Sequence, residues 1–177
     1  MLDGEKGIIE RAIRGEASAF GSLYDHYQPA IYRFVLIKVS RREEAEDLTH
    51  QVFLSAWQNI QNYRELGHPF SSWLYQIARN KVIDHYRTVK NDSAIEEVDP
   101  EIFASAALTE ARTDMELTME RVLKAIRKLK QEYQDIVIMR FIEELSLKEI
   151  AAAIGKSEGA VKLIQHRALK ELRTLLS

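Results

Sequence analysis

Apolar residues recur at helical spacing along most of the chain, and the runs of β-branched residues that mark strands are scarce. The period predicts helices over Glu5–Arg14, Ala17–Val39, Arg41–Ile60 and Phe70–Thr88 in the first half. In the second it predicts Glu116–Leu129, Gln131–Phe141, Leu147–Ile154 and Glu158–Leu175. Pro29 lacks an amide proton and crowds the preceding turn, so a kink or break is expected there. Gly67-His68-Pro69 should end one helix and open the next. Ser146 followed by Glu149 spells a capping box, and Ser157 is placed to cap the last helix. The expected fold class is all-α.

Composition narrows this further. At 177 residues and 20.5 kDa, there is room for one ordinary domain or two small ones. With 46% hydrophobic and 29% charged residues, the chain can bury a core. The absence of cysteine excludes disulfides, thiolate nucleophiles and Cys-ligated metal. The first residues have no apolar core of signal-peptide length, and no run approaches 18 apolar residues, so a cytoplasmic protein is expected.

The net charge of −2 conceals a segregated field. Residues 1–61 carry −2, 62–90 carry +3, 91–120 carry −8 and 121–177 carry +5. The stretch KNDSAIEEVDPEIFASAALTEARTD, with Asn-Asp-Ser, Asp-Pro and no sustained period, reads as a solvated linker in which a short helix around Pro100–Leu108 is conceivable. The expected organisation is a helical domain over 1–88, an acidic linker over 89–115 and a second domain over 116–177.

Three faces have candidate chemistry. On a helical wheel, Leu48, Val52, Phe53, Ala56, Trp57 and Ile60 fall on a core half, and Asp47, Gln51, Leu54 and Gln58 on the other. Leu54 is either a singly exposed leucine or an anchor for a docking partner. On Phe70–Thr88, Phe70, Trp73, Leu74, Ile77 and Ala78 form an apolar arc. Gln76, Arg79, Asn80, Ile83 and Arg87 crowd a second arc suited to phosphates and base edges, or simply to solvent. The loop Tyr63–Pro69 before it holds an aromatic ring and two potential cations, Arg64 and His68, which suits an unstacked base.

The third face has the spacing of a helix-turn-helix, with Gly155 in the turn. Val161, Ile164, Ala168, Leu172 and Leu175 should pack inward; Gly159, Lys162, Leu163, His166, Lys170 and Arg173 face away, as in a recognition helix. Catalysis has little support. Glu46, Asp47 and His50 could supply two ligands to a metal, but no second carboxylate–histidine pair completes a di-metal bundle. There is no phosphate-cradling glycine loop or nucleophile elbow. No cofactor, metal or catalytic residue is expected.

The runs EAEDLTHQVFLSAWQNI, PFSSWLYQIARNKVIDHYR and LSLKEIAAAIGKSEGAVKLIQHRALKELR together resemble an extracytoplasmic-function (ECF) sigma factor of bacterial RNA polymerase, of the sigma-70 superfamily. The resemblance covers both halves, in order. It implies that Asp47, Leu48, Gln51, Val52, Phe53 and Leu54 dock on the β′ clamp helices of core RNA polymerase, whose β subunit is a further partner. It implies that Tyr63, Arg64, His68, Gln76, Arg79, Asn80, Ile83 and Arg87 serve the −10 element, where a non-template base is flipped out. Duplex at the −35 element would be read by Lys156, Ser157, Gly159, Ala160, Lys162, Leu163, His166, Arg167, Lys170 and Arg173.

The recognition helix departs from the family pattern: Ala160 replaces a frequent Thr, and Leu163-Ile164-Gln165 a frequent Ser-Arg-Leu. This leaves the −35 sequence open. The resemblance also implies promoter DNA as ligand, an acidic linker threading the polymerase toward the RNA exit path, and an anti-sigma factor, commonly membrane-bound. With no further domain after Ser177, regulation is expected to come from a separate protein. The free halves are expected to pack on each other or on an inhibitor. Rival readings are a conventional helix-turn-helix regulator that binds operators without polymerase, a protein-interaction module, and a metal-dependent helical-bundle enzyme.

Overall fold

A computed structural model describes residues 3–65, 67–89 and 114–177. Most of the expected linker, and with it the short helix considered around Pro100–Leu108, lies outside these residues. Among the described residues there are eight α-helices, one 3₁₀ turn and no strand. No helix among them is long and apolar enough to cross a membrane.

The first half contains α1 (Glu5–Ile13), α2 (Ala17–Val39), α3 (Arg42–Asn59), the turn Ile60–Asn62 and α4 (Phe70–Val89). Helices α1 and α3 pack on α2, and α4 packs on both α2 and α3. Leu23, Ile31 and Phe34 of α2 meet Val52, Phe53 and Ala56 of α3 and Phe70, Leu74, Ala78 and Val82 of α4 in the core. Contrary to a break at Pro29, α2 runs through it unbroken. Pro29 lies on the exposed side, as does Asp25 four residues back, so the carbonyl that loses its helical partner can turn to water.

The second half contains α5 (Asp114–Lys128), α6 (Gln131–Phe141), α7 (Leu147–Ile154) and α8 (Glu158–Leu176). The end of α5 is capped from α6: Gln134 donates its amide to the carbonyls of Arg127 at 3.0 Å and Leu129 at 2.8 Å. Both halves of the capping box form, Glu149 N donating to Ser146 Oγ at 3.2 Å and Ser146 N to Glu149 Oε2 at 2.7 Å. Ser157 caps α8 through Ala160 N at 3.2 Å. The inward stripe of α8 holds Val161 and Ala168, with Ile164 and Leu172 half-buried. Leu175, expected inward, is 40% exposed, because the core ends at Ala168 and the last two turns extend past it.

The halves are not held apart. Helix α4 packs along α7, and α2 touches α5 and α6. The buried apolar cluster includes residues of both.

The helix-turn-helix corner depends on Gly155, which closes α7 in the left-handed region at φ +68° while Lys156 N bonds the Ala151 carbonyl at 3.0 Å. A Cβ there would meet nothing within 4 Å, so any penalty is conformational. Gly155→Ala is expected to cost about 1–2 kcal/mol in urea unfolding without changing the helical circular-dichroism spectrum.

Candidate nucleic-acid interface

Helix α4 divides as its sequence suggests. Phe70, Leu74 and Ala78 are buried, Gln76, Asn80 and Arg87 are exposed, and Ile83 is half-buried. Arg87 lies 3.4 Å from Asp84, an exposed pair that leaves it available. Arg79 is different: its Nε donates to Asp135 of α6 at 2.7 Å, and only 24% of its side chain is exposed.

The loop before α4 is built by aromatic packing. Tyr63, expected to help form a pocket for a base, is only 7% exposed, with its ring 5.3 Å from that of Phe70 and 5.1 Å from that of Trp73. Its hydroxyl donates to the His68 carbonyl at 3.3 Å, so it shapes the loop from inside and does not offer its face. Arg64 folds back on the carbonyls of Gln61 and Tyr63 at 2.8 and 3.0 Å, and His68 is exposed. A cleft of about 930 Å³ opens between this loop and the start of α1, with Glu149 of α7 on its wall.

Helix α8 is the most regular face. Lys162, Leu163, His166, Arg167, Lys170 and Arg173 are all exposed, as are Ser157 and Gly159 at its start, while Ala160 is half-buried. Lys156 is exposed in the turn, 3.2 Å from Glu132. Leu163, 52% exposed among these donors, suits an apolar contact such as a thymine methyl.

On α3, Asp47, Gln51 and Leu54 are exposed, Leu54 by 47%. Leu48, Val52 and Phe53 are not: they are 5%, 0% and 3% exposed and belong to the core. The run Asp47–Leu54 thus spans two faces that the helical period separates, and only Asp47, Gln51 and Leu54 of the expected docking residues are open to a partner. What the sequence reading missed is the other wall of this surface. Phe20 and Tyr24 of α2 meet Phe53, Leu54 and Trp57 around a groove of about 280 Å³, with Ala17 and His50 at its edge. Their spacing of four was the available signal, but nothing local tied them to α3. Leu54 is thus the lip of an apolar groove. His50 lines that groove, His85 lies 3.1 Å from Glu44, and no group of three or more potential metal ligands occurs among the described residues.

A helical bundle followed by a helix-turn-helix, each with an exposed polar face, has its counterpart in known families. Residues 23–91 match the family model of Sigma-70 region 2, and residues 125–174 that of Sigma-70, region 4. Two such regions in this order define a sigma-70-type transcription initiation protein.

The chain is 37% identical over 172 residues to the ECF RNA polymerase sigma factor BldN of Streptomyces coelicolor, covering 96% of this chain and 64% of that relative. It is 30% identical over 184 residues to the ECF RNA polymerase sigma factor SigW of Bacillus subtilis, covering 97% and 96%. The chain belongs to the ECF RNA polymerase sigma factors, the proteins of promoter-specific initiation, and is not a conventional operator-binding regulator. Its fold is shared with CnrH, solved in complex with the cytosolic domain of CnrY, at a TM-score of 0.74 and 24% identity over 97% of this chain and 96% of that one.

Burial also sets an alkaline limit on this loop. It pushes the Tyr63 phenol up to about 12, with Glu65 and Glu5 adding to the shift. Burial, then Glu143, raises Tyr75 as well. A raised phenol means the folded state keeps a proton the unfolded chain loses, so stability is complete below about pH 10 and falls as pH rises toward 12. Urea midpoints measured from pH 8 to 11 should decline above pH 10, and decline less in Tyr63→Phe.

Proposed function

We propose that the first half docks on core RNA polymerase, on the β′ clamp helices, through Asp47, Gln51, Leu54 and the groove beside them. In this reading Arg79, Asn80 and Arg87 of α4, with Gln76, Ile83, Arg64 and His68 nearby, hold the opened non-template strand of the −10 element. Helix α8 lies in the major groove of the −35 duplex. The protein works in the cytoplasm and has no catalysis of its own; the polymerase supplies the chemistry.

The observation that carries the reading is the division of α8. Each residue assigned to DNA is exposed or half-buried, and the opposite side closes a core. The docking assignment is supported by an apolar groove whose lip, Leu54, shares its helix face with the exposed Asp47 and Gln51. An anti-sigma partner is proposed as well, because the sigma factor RpoE of Bartonella quintana, of the same fold at a TM-score of 0.68, was solved with the anti-sigma factor NepR bound.

The test is run-off transcription with purified bacterial core polymerase over a pooled genomic template. Discrete transcripts that depend on this protein support the reading; their absence, together with no binding to core, overturns it. Asp47→Arg with Leu54→Asp changes two exposed side chains, so the fold should hold while core binding and transcription are lost. Normal core affinity in the folded double variant would remove the docking assignment. Lys162→Glu with Arg167→Glu should keep core binding and abolish use of promoters that need a −35 element, which the same assay reads.

A further inference from the structure

One residue of the α4 face assigned to the −10 strand, Arg79, is engaged in this structure by the second half of the chain, while Gln76, Asn80 and Arg87 stay exposed. Asp135 of α6 is fully buried and gripped by two cations of the first half: Lys38 Nζ binds Oδ1, and Arg79 Nε lies 2.7 Å from Oδ2. At the same interface Arg33 forks onto Glu143 at 2.7 and 2.6 Å, and the Tyr75 hydroxyl donates to that carboxylate at 3.3 Å. Ser72 Oγ of α4 donates to the Glu149 carbonyl of α7 at 3.0 Å, and Arg127 Nε of α5 to the Ile37 carbonyl of α2 at 2.8 Å. A carboxylate that takes an arginine N–H on this face does what a phosphate oxygen does.

We propose that Asp135 is a latch: it closes the second half over α4 and competes with the promoter strand for Arg79. The competition rests on the reading of Arg79 as a −10 contact; the closure itself does not. Two physical points support it. The −10 and −35 elements are named for positions 25 base pairs apart, about 85 Å of B-form duplex at 3.4 Å per pair. A compact chain of this length has a radius of gyration of about 16 Å, so halves in contact cannot reach both elements, and the interface has to open.

An ionic latch suits that requirement. Buried ion pairs hold a defined geometry with small net stabilisation, because the separated charges regain their water. Removing only the carboxylate leaves the buried Lys38 beside the partly buried Arg79, a neighbour of like charge, which penalises the closed form alone.

The chain has no cysteine, so Ser22→Cys and Thr174→Cys place one spin label on each half of the full-length protein. Pulsed dipolar spectroscopy on this pair should give one compact distance. Asp135→Asn should raise the open-to-closed ratio on the order of a hundredfold or more, the size expected when one partner of a buried pair is removed. It should also raise affinity for a single-stranded −10 oligonucleotide without polymerase. An unchanged distance distribution in a folded Asp135→Asn variant overturns the latch. A longer distance with no gain in strand binding leaves the latch standing and overturns the role given to Arg79. If Asp135→Asn does not melt cooperatively, Lys38→Glu, which confronts the same carboxylate from the first half, decides by the same two readings.

Discussion

The arrangement of this molecule depends on one buried carboxylate. Asp135 is 0% exposed in the middle of α6, where an unpaired charge would be prohibitively costly, and its two partners come from α2 and α4. Satisfying it therefore fixes three helices from both halves at once. Lys38 is itself buried, its ammonium 5.3 Å from the Phe34 ring centre; burial lowers its pKa, while Asp135 opposes that shift. The end of α2 is tied down again by Arg127, which donates to the Ile37 carbonyl, and by Tyr86, whose hydroxyl binds the Lys38 carbonyl. These carbonyls belong to the last turn of a helix, where no amide of the helix itself reaches them.

The three proposed working faces are treated unequally by this packing. The α3 face with Leu54 and the recognition face of α8 are open to solvent, whereas Arg79 on α4 is engaged. Under the proposed assignments, a closed molecule would present its groove to polymerase while Arg79 stays engaged, and strand binding would follow separation of the halves.

The local half of this picture was legible in the sequence and the long-range half was not. Periodicity and turn chemistry place Ala17–Val39, Gln131–Phe141 and Leu147–Ile154 at their observed limits, because caps and apolar spacing act within a few residues. The recognition face of α8 follows from the same period. The burial of Tyr63 is not legible in the sequence, because an aromatic in a loop looks the same whether it faces solvent or anchors that loop from below. The groove partners of Leu54 lie some 30 positions earlier in the chain. Asp135 is separated from Lys38 by 97 positions and from Arg79 by 56, and its own surroundings, QEYQDIVIMRF, give no sign of a partner. Among the described residues, the carboxylates bonded to the first half, Asp135 and Glu143, come from the segment with net charge +5, which a map of net charge does not single out.

Apolar contact and charge do different work between the halves. The buried apolar cluster includes residues of both, so hydrophobic burial contributes adhesion that is strong but indifferent to register. Asp135 and Glu143 supply the register. Any slid or rotated packing would bury one of these carboxylates without its cation, a penalty of several kcal/mol that apolar contacts cannot offset by small rearrangement. On separation the same groups would regain their water beside the newly exposed apolar surface. A purely apolar interface would hold the halves as well, but would neither select their alignment nor engage Arg79, the proposed −10 contact.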